Sequence, residues 1–256
     1  MSKTSWGLVL AGGGGKGSYQ IGVWKALKEL GVDAMITAVS GASVGALNTA
    51  LIGTGDYEKA YTIWSRIKPA QFLELEYGKD LAGDGKKGVF SREGLIQIME
   101  NDLDLRLVSN SQKALYANAS RIGGENMEPE YFLLNEKQPE QIEKILLASS
   151  ALPVIYEPID INGNKYLDGG LTDNLPILPL FMLGYKKMIV VGLGKELEIL
   201  EDKFPEVSFI KINPSKNLGG LLKGTLDFTD KDVISRMELG YQDTVKVILQ
   251  NSISPK

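Results

Sequence analysis

The sequence predicts an α/β protein in which a mainly parallel central sheet lies between two layers of helices. Two continuous apolar runs, at residues 6–10 and 188–193, have the composition of parallel strands that are buried on both faces. Segments with strand composition alternate with segments of helical period along the chain, as in a layered α/β fold. We therefore expect three layers, α/β/α, around one sheet.

The composition limits the classes of protein that this chain can belong to. Its 256 residues suffice for one large α/β domain, which we expect to span residues 1–256. The net charge is −4 and the chain has no basic tract, so we exclude a nucleic-acid-binding protein, which would carry a basic surface. No apolar run approaches the roughly 18 residues of a spanning helix, and no signal-peptide pattern is present, so we expect a cytoplasmic protein.

Two residue counts restrict the chemistry. The chain has no cysteine, which excludes disulfides, thiol nucleophiles and thiolate metal sites. It also has no histidine, so a catalytic serine would need a carboxylate or a lysine as its base. The same two absences disfavour a transition-metal site, although oxygen ligands could still bind Ca²⁺ or Mg²⁺. We predict neither a metal nor a cofactor.

Ser43 stands in the motif Gly41-Ala42-Ser43-Val44-Gly45, between a predicted buried strand at residues 34–39 and a helix of small residues. In a sharp strand-to-helix turn the serine hydroxyl projects outward, and the two glycines remove side chains that would collide. The motif thus predicts Ser43 as a nucleophile. A glycine-rich turn without chemistry fits the same residues, so the prediction depends on the rest of the chain.

Glycines occupy residues 12–15 and 17, between the first predicted strand and a helix predicted for residues 17–30. A dinucleotide-binding turn would require an acidic residue at the end of the second strand, but Asp33 precedes that strand. A P-loop would require Ser or Thr after Lys16, where this chain has Gly17. The third interpretation is an oxyanion hole of backbone N–H groups, and we favour it because it also accounts for the nearby serine.

Asp168 follows a short predicted strand and precedes Gly169 and Gly170, which places its carboxylate at the rim of the sheet with little crowding. Asp168 is therefore one carboxylate that could serve as the base of Ser43, and a lysine remains the alternative. A helix that begins at Pro139 leads into the small-residue segment 148–153 upstream of it.

The remaining predictions concern elements outside these motifs. We expect a helix at residues 56–67, strands at residues 114–117 and 131–134, a mobile loop or lid at residues 74–89, and exposed leucines in residues 218–228. Thr229 and Asp232 give a start signal for the last helix. The apolar stripe that we expect to face the core from this helix consists of Ile234, Met237, Tyr241, Val245 and Ile248.

The order of the motifs resembles the patatin-like phospholipase family. Three motifs between about residues 6 and 180 carry the resemblance: the glycine run at 12–17, the serine motif at 41–45 and Asp168-Gly169-Gly170. Segments 148–153 and 174–176 also look like segments that flank the aspartate motif in that family. The resemblance implies a patatin-like fold and a serine acyl hydrolase with a Ser-Asp dyad.

The resemblance also implies roles for individual residues. Ser43 would be the nucleophile and Asp168 its base. The oxyanion would be bound by backbone N–H groups of Gly13, Gly14 and Gly15. The other motif residues would support them: Gly12, Lys16, Gly17, Gly41, Gly45, Gly169 and Gly170. Lys16 matches a basic position of the family motif, where it would order the loop or face anionic lipid.

Fatty-acyl esters of lipids and phospholipids are the substrates that the resemblance implies, with no cofactor. Residues 74–89 and 218–226 suggest reversible contact with a membrane surface. Two alternatives remain open. A small-ester esterase or thioesterase would use the same dyad, and a nucleotide-binding module would use the glycine run without catalysis. The motifs indicate no particular oligomeric state.

Overall fold

The computed structural model describes residues 5–67, 92–123, 126–153, 155–194, 197, 200–220, 224, 225, 227 and 229–251. Within these ranges one sheet holds eight strands: β1 (Trp6–Leu10), β2 (Ile36–Ala42), β3 (Ala114–Gly123), β4 (Asn126–Leu133), β5 (Ile159–Ile161), β6 (Asn164–Leu167), β7 (Lys187–Val191) and β8 (Ser208–Ile212). The helices of the same ranges are α1 (Ser18–Glu29), α2 (Val44–Thr54), α3 (Tyr57–Arg66), α4 (Glu93–Asn101), α5 (Leu105–Ser109), α6 (Pro139–Ser149), α7 (Leu178–Met182), α8 (Leu200–Lys203) and α9 (Asp230–Gln250).

The sheet is mixed and has a parallel centre. Its hydrogen-bonded neighbours follow the path β5-β6-β3-β2-β1-β7-β8, and β4 also pairs with β3. The strands from β3 to β8 along this path are parallel, whereas β4, β5 and β6 pair in the antiparallel sense. The edge at which the parallel strands β1 and β2 end is called the serine edge below, because Ser43 follows β2.

Side chains of the central strands alternate between two apolar cores. On β1, Leu8 and Leu10 belong to the larger core, which includes residues of α1, α2 and α9. Val9 points to the second core, together with Leu180 of α7 and Leu200 of α8. The sheet therefore lies between two helical layers, and the predicted three-layer fold is confirmed.

Strands β2 and β6 lie on the same side of β3. β2 and β4 both pair with residues 116–118 of β3, so these two strands must lie on opposite sides of it. β4 and β6 both pair with residues 120–122, so they also lie on opposite sides of β3. It follows that β2 and β6 are placed end to end along the same side of β3.

This arrangement brings two distant parts of the chain together. β2 ends at Ala42, opposite Asn118 of β3. β6 runs in the other direction and ends opposite Ser120. The residues that follow the two strands are Ser43 and Asp168, so the sheet places both at the same point of the serine edge.

Three predicted strands have different limits in the structure. β2 begins at Ile36 instead of residue 34, because residues 33–35 form a 3₁₀ turn. The segments predicted at 114–117 and 131–134 are parts of a longer antiparallel hairpin, β3–β4. The first half of β4, residues 126–129, is solvent-exposed, so the apolar pattern predicted only the second half, which is partly buried.

The buried face of α9 differs from the predicted stripe. Met237 and Ile248 are buried as predicted, but Ile234 is exposed and Val233 is buried instead. The cause is close packing of α9 on α1, where a side chain on Gly240 would collide with the carbonyl oxygen of Tyr19. A glycine that makes a close helix–helix contact does not contribute to an apolar pattern. The predicted stripe is therefore rotated by about one residue relative to the buried face of α9.

Two predicted surface segments lie wholly or partly outside the described residues. Residues 74–89 lie wholly outside them. Of the second segment, residues 218–228, the residues outside are 221–223, 226 and 228. Leu218 of that second segment is buried, so the prediction that it is exposed is wrong. Among the described helices, none combines the length and the apolarity needed to cross a membrane.

Candidate active site

Ser43 occupies the turn between β2 and α2. Its backbone angles, φ 54° and ψ −124°, lie in a region that residues with side chains rarely adopt. A side chain on Gly41 would collide with the carbonyl group of Gly45, and a side chain on Gly45 would collide with that of Leu10. The chain can therefore turn this sharply at Ser43 because both flanking positions are glycine.

The Ser43 hydroxyl is hydrogen-bonded to a carboxylate 125 residues further along the chain. Ser43 Oγ donates to Asp168 Oδ2 over 2.6 Å. The other carboxylate oxygen, Oδ1, accepts the backbone N–H of Gly170 at 2.8 Å. The two side chains are 7% and 3% exposed, so the pair is nearly removed from water. The structure thus brings together the two residues that the sequence predicted as a dyad.

Burial changes the acidity of Asp168. Removal from water disfavours the charged form and raises the pKa of this carboxyl from 3.8 to about 6, although the hydrogen bonds from Ser43 and Gly170 act in the opposite direction. Asp168 is still mainly ionised at neutral pH, but it binds a proton more readily than an exposed aspartate does. A carboxylate of this pKa is suited to accept a proton from the serine hydroxyl.

Strand β3 fixes the turn that carries Asp168. The Asp168 carbonyl oxygen accepts a hydrogen bond of 2.7 Å from Ser120 Oγ. Asn118 Nδ2 donates to the carbonyl oxygens of Gly169, at 3.1 Å, and Asp173, at 2.8 Å. A side chain on Gly169 would collide with Asn118, so glycine is required for this close approach. The position of the carboxylate is therefore determined by the strand that also pairs with β2.

The glycine loop, residues 12–17, connects β1 to α1 beside Ser43. The Gly12 amide donates to Asn174 Oδ1 at 3.1 Å, which links the loop to the segment that follows Asp168. Residues 14–17 form a 3₁₀ turn. Gly14 has a φ of 57° and lines the same cavity as Ser43. The loop and the serine therefore face a common space.

The predicted oxyanion donors have unused hydrogen-bonding capacity. Among the described residues, none accepts a hydrogen bond from the amides of Gly13, Gly14 or Gly15. Such amides at the start of a helical turn are able to bind an anion. The other two loop residues make packing contacts, since Gly17 lies against Val44 and the Lys16 side chain lies against the backbone near Gly224.

An apolar cavity of about 90 Å³ adjoins Ser43. Three helices provide most of its wall, through Leu47 and Leu51 of α2, Ile63 and Ile67 of α3, and Leu95 and Met99 of α4. The chain after α6 closes another side with Leu152 and Tyr156. A cavity lined in this way offers hydrocarbon contacts and few hydrogen bonds.

Several features of the site were not assigned from the sequence. Ser149 Oγ accepts the Ser43 amide at 2.9 Å and so holds the turn from behind. Ser149 lies in the small-residue segment 148–153, which was a usable signal. Asn118 and the apolar cavity have no local signal, because they depend on strand register and on the packing of three separate helices.

The family is shown by sequence comparison. The model of the patatin-like phospholipase family matches residues 8–181. This chain therefore belongs to the patatin-like phospholipase family, as its three motifs predicted.

Individual relatives agree with this assignment. The chain is 29% identical over 213 residues to lysophospholipase NTE1 of Eremothecium gossypii, a match that covers 78% of this chain and 12% of that protein. It is 29% identical over 182 residues to the probable lipid hydrolase 463L of Invertebrate iridescent virus 6, which covers 66% of this chain and 61% of that protein. The chain thus spans less than two thirds of either relative.

The fold is also similar to that of a solved structure. Human GIVD cytosolic phospholipase A2 superimposes with a TM-score of 0.57 and 11% sequence identity, covering 97% of this chain and 60% of that chain. The likeness extends over nearly all of the chain and supports the three-layer architecture.

Proposed function

We propose that this protein is a serine acyl hydrolase that cleaves fatty-acyl ester bonds of lipids and phospholipids. The observation that carries the proposal is the 2.6 Å hydrogen bond from Ser43 to Asp168 beside an apolar cavity. The family, and relatives named as a lysophospholipase and a probable lipid hydrolase, support a lipid ester as the substrate.

In the proposed reaction Asp168 accepts the hydroxyl proton while Ser43 Oγ attacks the ester carbonyl carbon. The carbonyl oxygen becomes an oxyanion, which the amides of the glycine loop bind. The leaving alcohol then takes the proton from Asp168, and the acyl group remains on Ser43. Water attacks this acyl-enzyme with Asp168 again as the base, which releases the fatty acid and restores the hydroxyl.

The cavity is proposed to bind the acyl chain. Burial of each methylene group contributes about 0.8 kcal/mol, so a long chain gains more binding free energy there than an acetyl group does. This favours fatty-acyl esters over the small esters of the alternative esterase. The nucleotide-binding alternative is disfavoured because it gives no role to the hydrogen bond between Ser43 and Asp168 or to the apolar cavity beside it.

The proposed function can be tested with the purified protein. A fluorophosphonate probe should label it, and both lysophospholipid and phospholipid substrates should be assayed for fatty-acid release. Hydrolysis of short monomeric esters alone would favour the small-ester esterase. Absence of labelling and of hydrolysis, combined with an increase in melting temperature on addition of NAD(H) or ATP, would favour the nucleotide-binding module.

Replacement of Gly14 by alanine tests the oxyanion role of the glycine loop. An added methyl group would collide with the carbonyl oxygen of Thr225, so the loop must shift. We expect kcat to fall about 10²-fold or more, as when one oxyanion donor is lost. Gly55→Ala is the matched control, because Gly55 also has a positive φ of 76° but has open space around it. Equal kcat values for the two variants would contradict the assignment.

Contact with a membrane surface is a further part of the proposal. The β3–β4 hairpin extends about 16 Å past the serine edge, because residues 119–123 of β3 lie beyond the end of β2, and β6 pairs there with residues 120–122. Near its tip Ile122 pairs with Met127, and these side chains are 41% and 45% exposed. An exposed apolar pair on a projecting hairpin is suited to reversible insertion into a lipid interface.

Removal of this pair should weaken lipid binding. We expect Ile122→Ser combined with Met127→Ser to reduce affinity for phosphatidylcholine vesicles about tenfold, because two partly buried apolar contacts are lost. Sedimentation with vesicles measures the change. Met182→Ser serves as the control, since Met182 is 77% exposed but lies on the helix that leads to the opposite edge of the sheet. Equal losses for both variants would assign no special role to the hairpin.

A further inference from the structure

A buried arginine from the last helix contacts the glycine loop. Arg236 of α9 is only 6% exposed. Its Nη1 atom donates to the carbonyl oxygen of Gly15 at 3.3 Å and to that of Asp227 at 2.8 Å. Its Nη2 atom forms an ion pair of 3.3 Å with Asp227 Oδ2. One guanidinium group therefore joins the glycine loop to residue 227.

The partner of Arg236 is itself packed on the loop and tied to α9. Side chains on Gly14 and Gly15 would collide with the carbonyl oxygens of Thr225 and Asp227, so the two backbones are in direct contact. Asp227 Oδ1 accepts the backbone N–H of Thr229, the N-cap residue of α9, at 3.0 Å. The loop, Thr225, Asp227 and the start of α9 are thus connected by direct contacts.

We propose that Arg236, together with Asp227, is a positioning residue that holds the glycine loop in the geometry that binds the oxyanion. The inference rests on the proposed function. Because Asp227 neutralises the guanidinium charge nearby, Arg236 acts through the position of the Gly15 backbone rather than as a cation on the substrate. Both residues lie beyond residues 8–181, the segment that matches the family model.

The test compares Arg236→Gln and the milder variants Arg236→Lys and Asp227→Asn with the wild type. We expect kcat to fall about 10- to 100-fold in Arg236→Gln, with KM changed less than about threefold, because only transition-state binding is weakened. Fluorophosphonate labelling should slow by a similar factor, since phosphonylation also places negative charge on an oxygen in the loop. Arg236→Lys should recover part of the rate, because lysine keeps the charge but not the forked geometry.

Asp243→Asn is the matched control for a loosened α9. Asp243 is buried on the same helix, but its carboxylate accepts hydrogen bonds from the Tyr19 hydroxyl and the Ser215 amide and makes none with the glycine loop. This variant should have a lower melting temperature than the wild type. Its kcat, calculated per active site as counted by titration with the fluorophosphonate probe, should be unchanged. Arg236 variants that behave in the same way would overturn the positioning role while the proposed function stands. A wild type without labelling or hydrolysis would refute both.

Discussion

Ser43→Ala is expected to abolish ester hydrolysis and to leave the fold intact. Alanine removes the hydroxyl that donates to Asp168 and adds no atom to a turn in which space is limited by Gly41 and Gly45. The Ser43 side chain makes no capping hydrogen bond to α2, so helix stability is unaffected. We expect kcat to fall on the order of 10⁴-fold or more, as when a serine nucleophile is removed. Fatty-acid release and fluorophosphonate labelling measure the loss.

The control is another serine in a surface position. Ser208→Ala, at an exposed site on β8, should retain full activity and full labelling. If Ser43→Ala were labelled as strongly as the wild type, the nucleophile would have to be a different residue, and the assigned roles of Asp168 and the glycine loop would fall with it.

Asp168→Asn is expected to reduce kcat to a similar extent with little change in substrate binding. The amide keeps the size of the side chain and can still accept the Gly170 N–H through its oxygen. It cannot accept a proton from Ser43, so the first step of the proposed reaction has no base. Steady-state kinetics should therefore show a collapse of kcat with a nearly unchanged KM.

Asp173 provides a nearby control. Its carboxylate accepts the Tyr131 hydroxyl at 2.7 Å and the Leu175 amide at 3.1 Å, and an asparagine oxygen can keep the second of these bonds. Asp173→Asn should therefore retain most of the activity. If Asp173→Asn were the inactive variant, or if Asp168→Asn kept a near-normal kcat, a different base such as Lys16 would have to be considered.

The raised pKa of Asp168 also predicts how activity and stability depend on pH. Activity should fall as the pH drops through about 6, because the protonated carboxyl cannot act as a base. The native state binds a proton more tightly than the unfolded chain, so this group lowers the stability of the wild type as the pH rises from about 4 to about 6. A shift of about two pH units corresponds to about 3 kcal/mol. Asp168→Asn should therefore be more stable than the wild type at pH 7, and this difference should vanish below about pH 4.

The residues at the centre of the site could be predicted because their signals are local. Gly41, Ser43 and Gly45 define a turn within five residues, and Asp168 is marked by the glycines that follow it. The absence of histidine then restricts the base to a carboxylate or a lysine. A short motif that fixes its own backbone geometry can be recognised without knowledge of the rest of the fold.

The supporting residues could not be predicted, because their role depends on contacts between distant segments. Arg236 reaches Gly15 across 221 positions of the chain, and an arginine within a helix gives no sign of such a contact. The rotation of the buried face of α9 has a similar origin, since it depends on the approach of Gly240 to α1. The apolar pattern predicted α9 as a helix, but it did not predict which face of α9 packs on α1.

Because β2 and β6 lie end to end along β3, Ser43 and Asp168 are aligned only after both strands have paired with β3. A displacement of β6 by one residue would move Asp168 by about 3.3 Å, which is more than its hydrogen bond to Ser43 can tolerate. That bond also closes a chain segment of 125 residues, and such long-range contacts form slowly. A nascent or partly unfolded chain therefore has no aligned serine and base. The proposed hydrolase activity is therefore expected only once the sheet is complete.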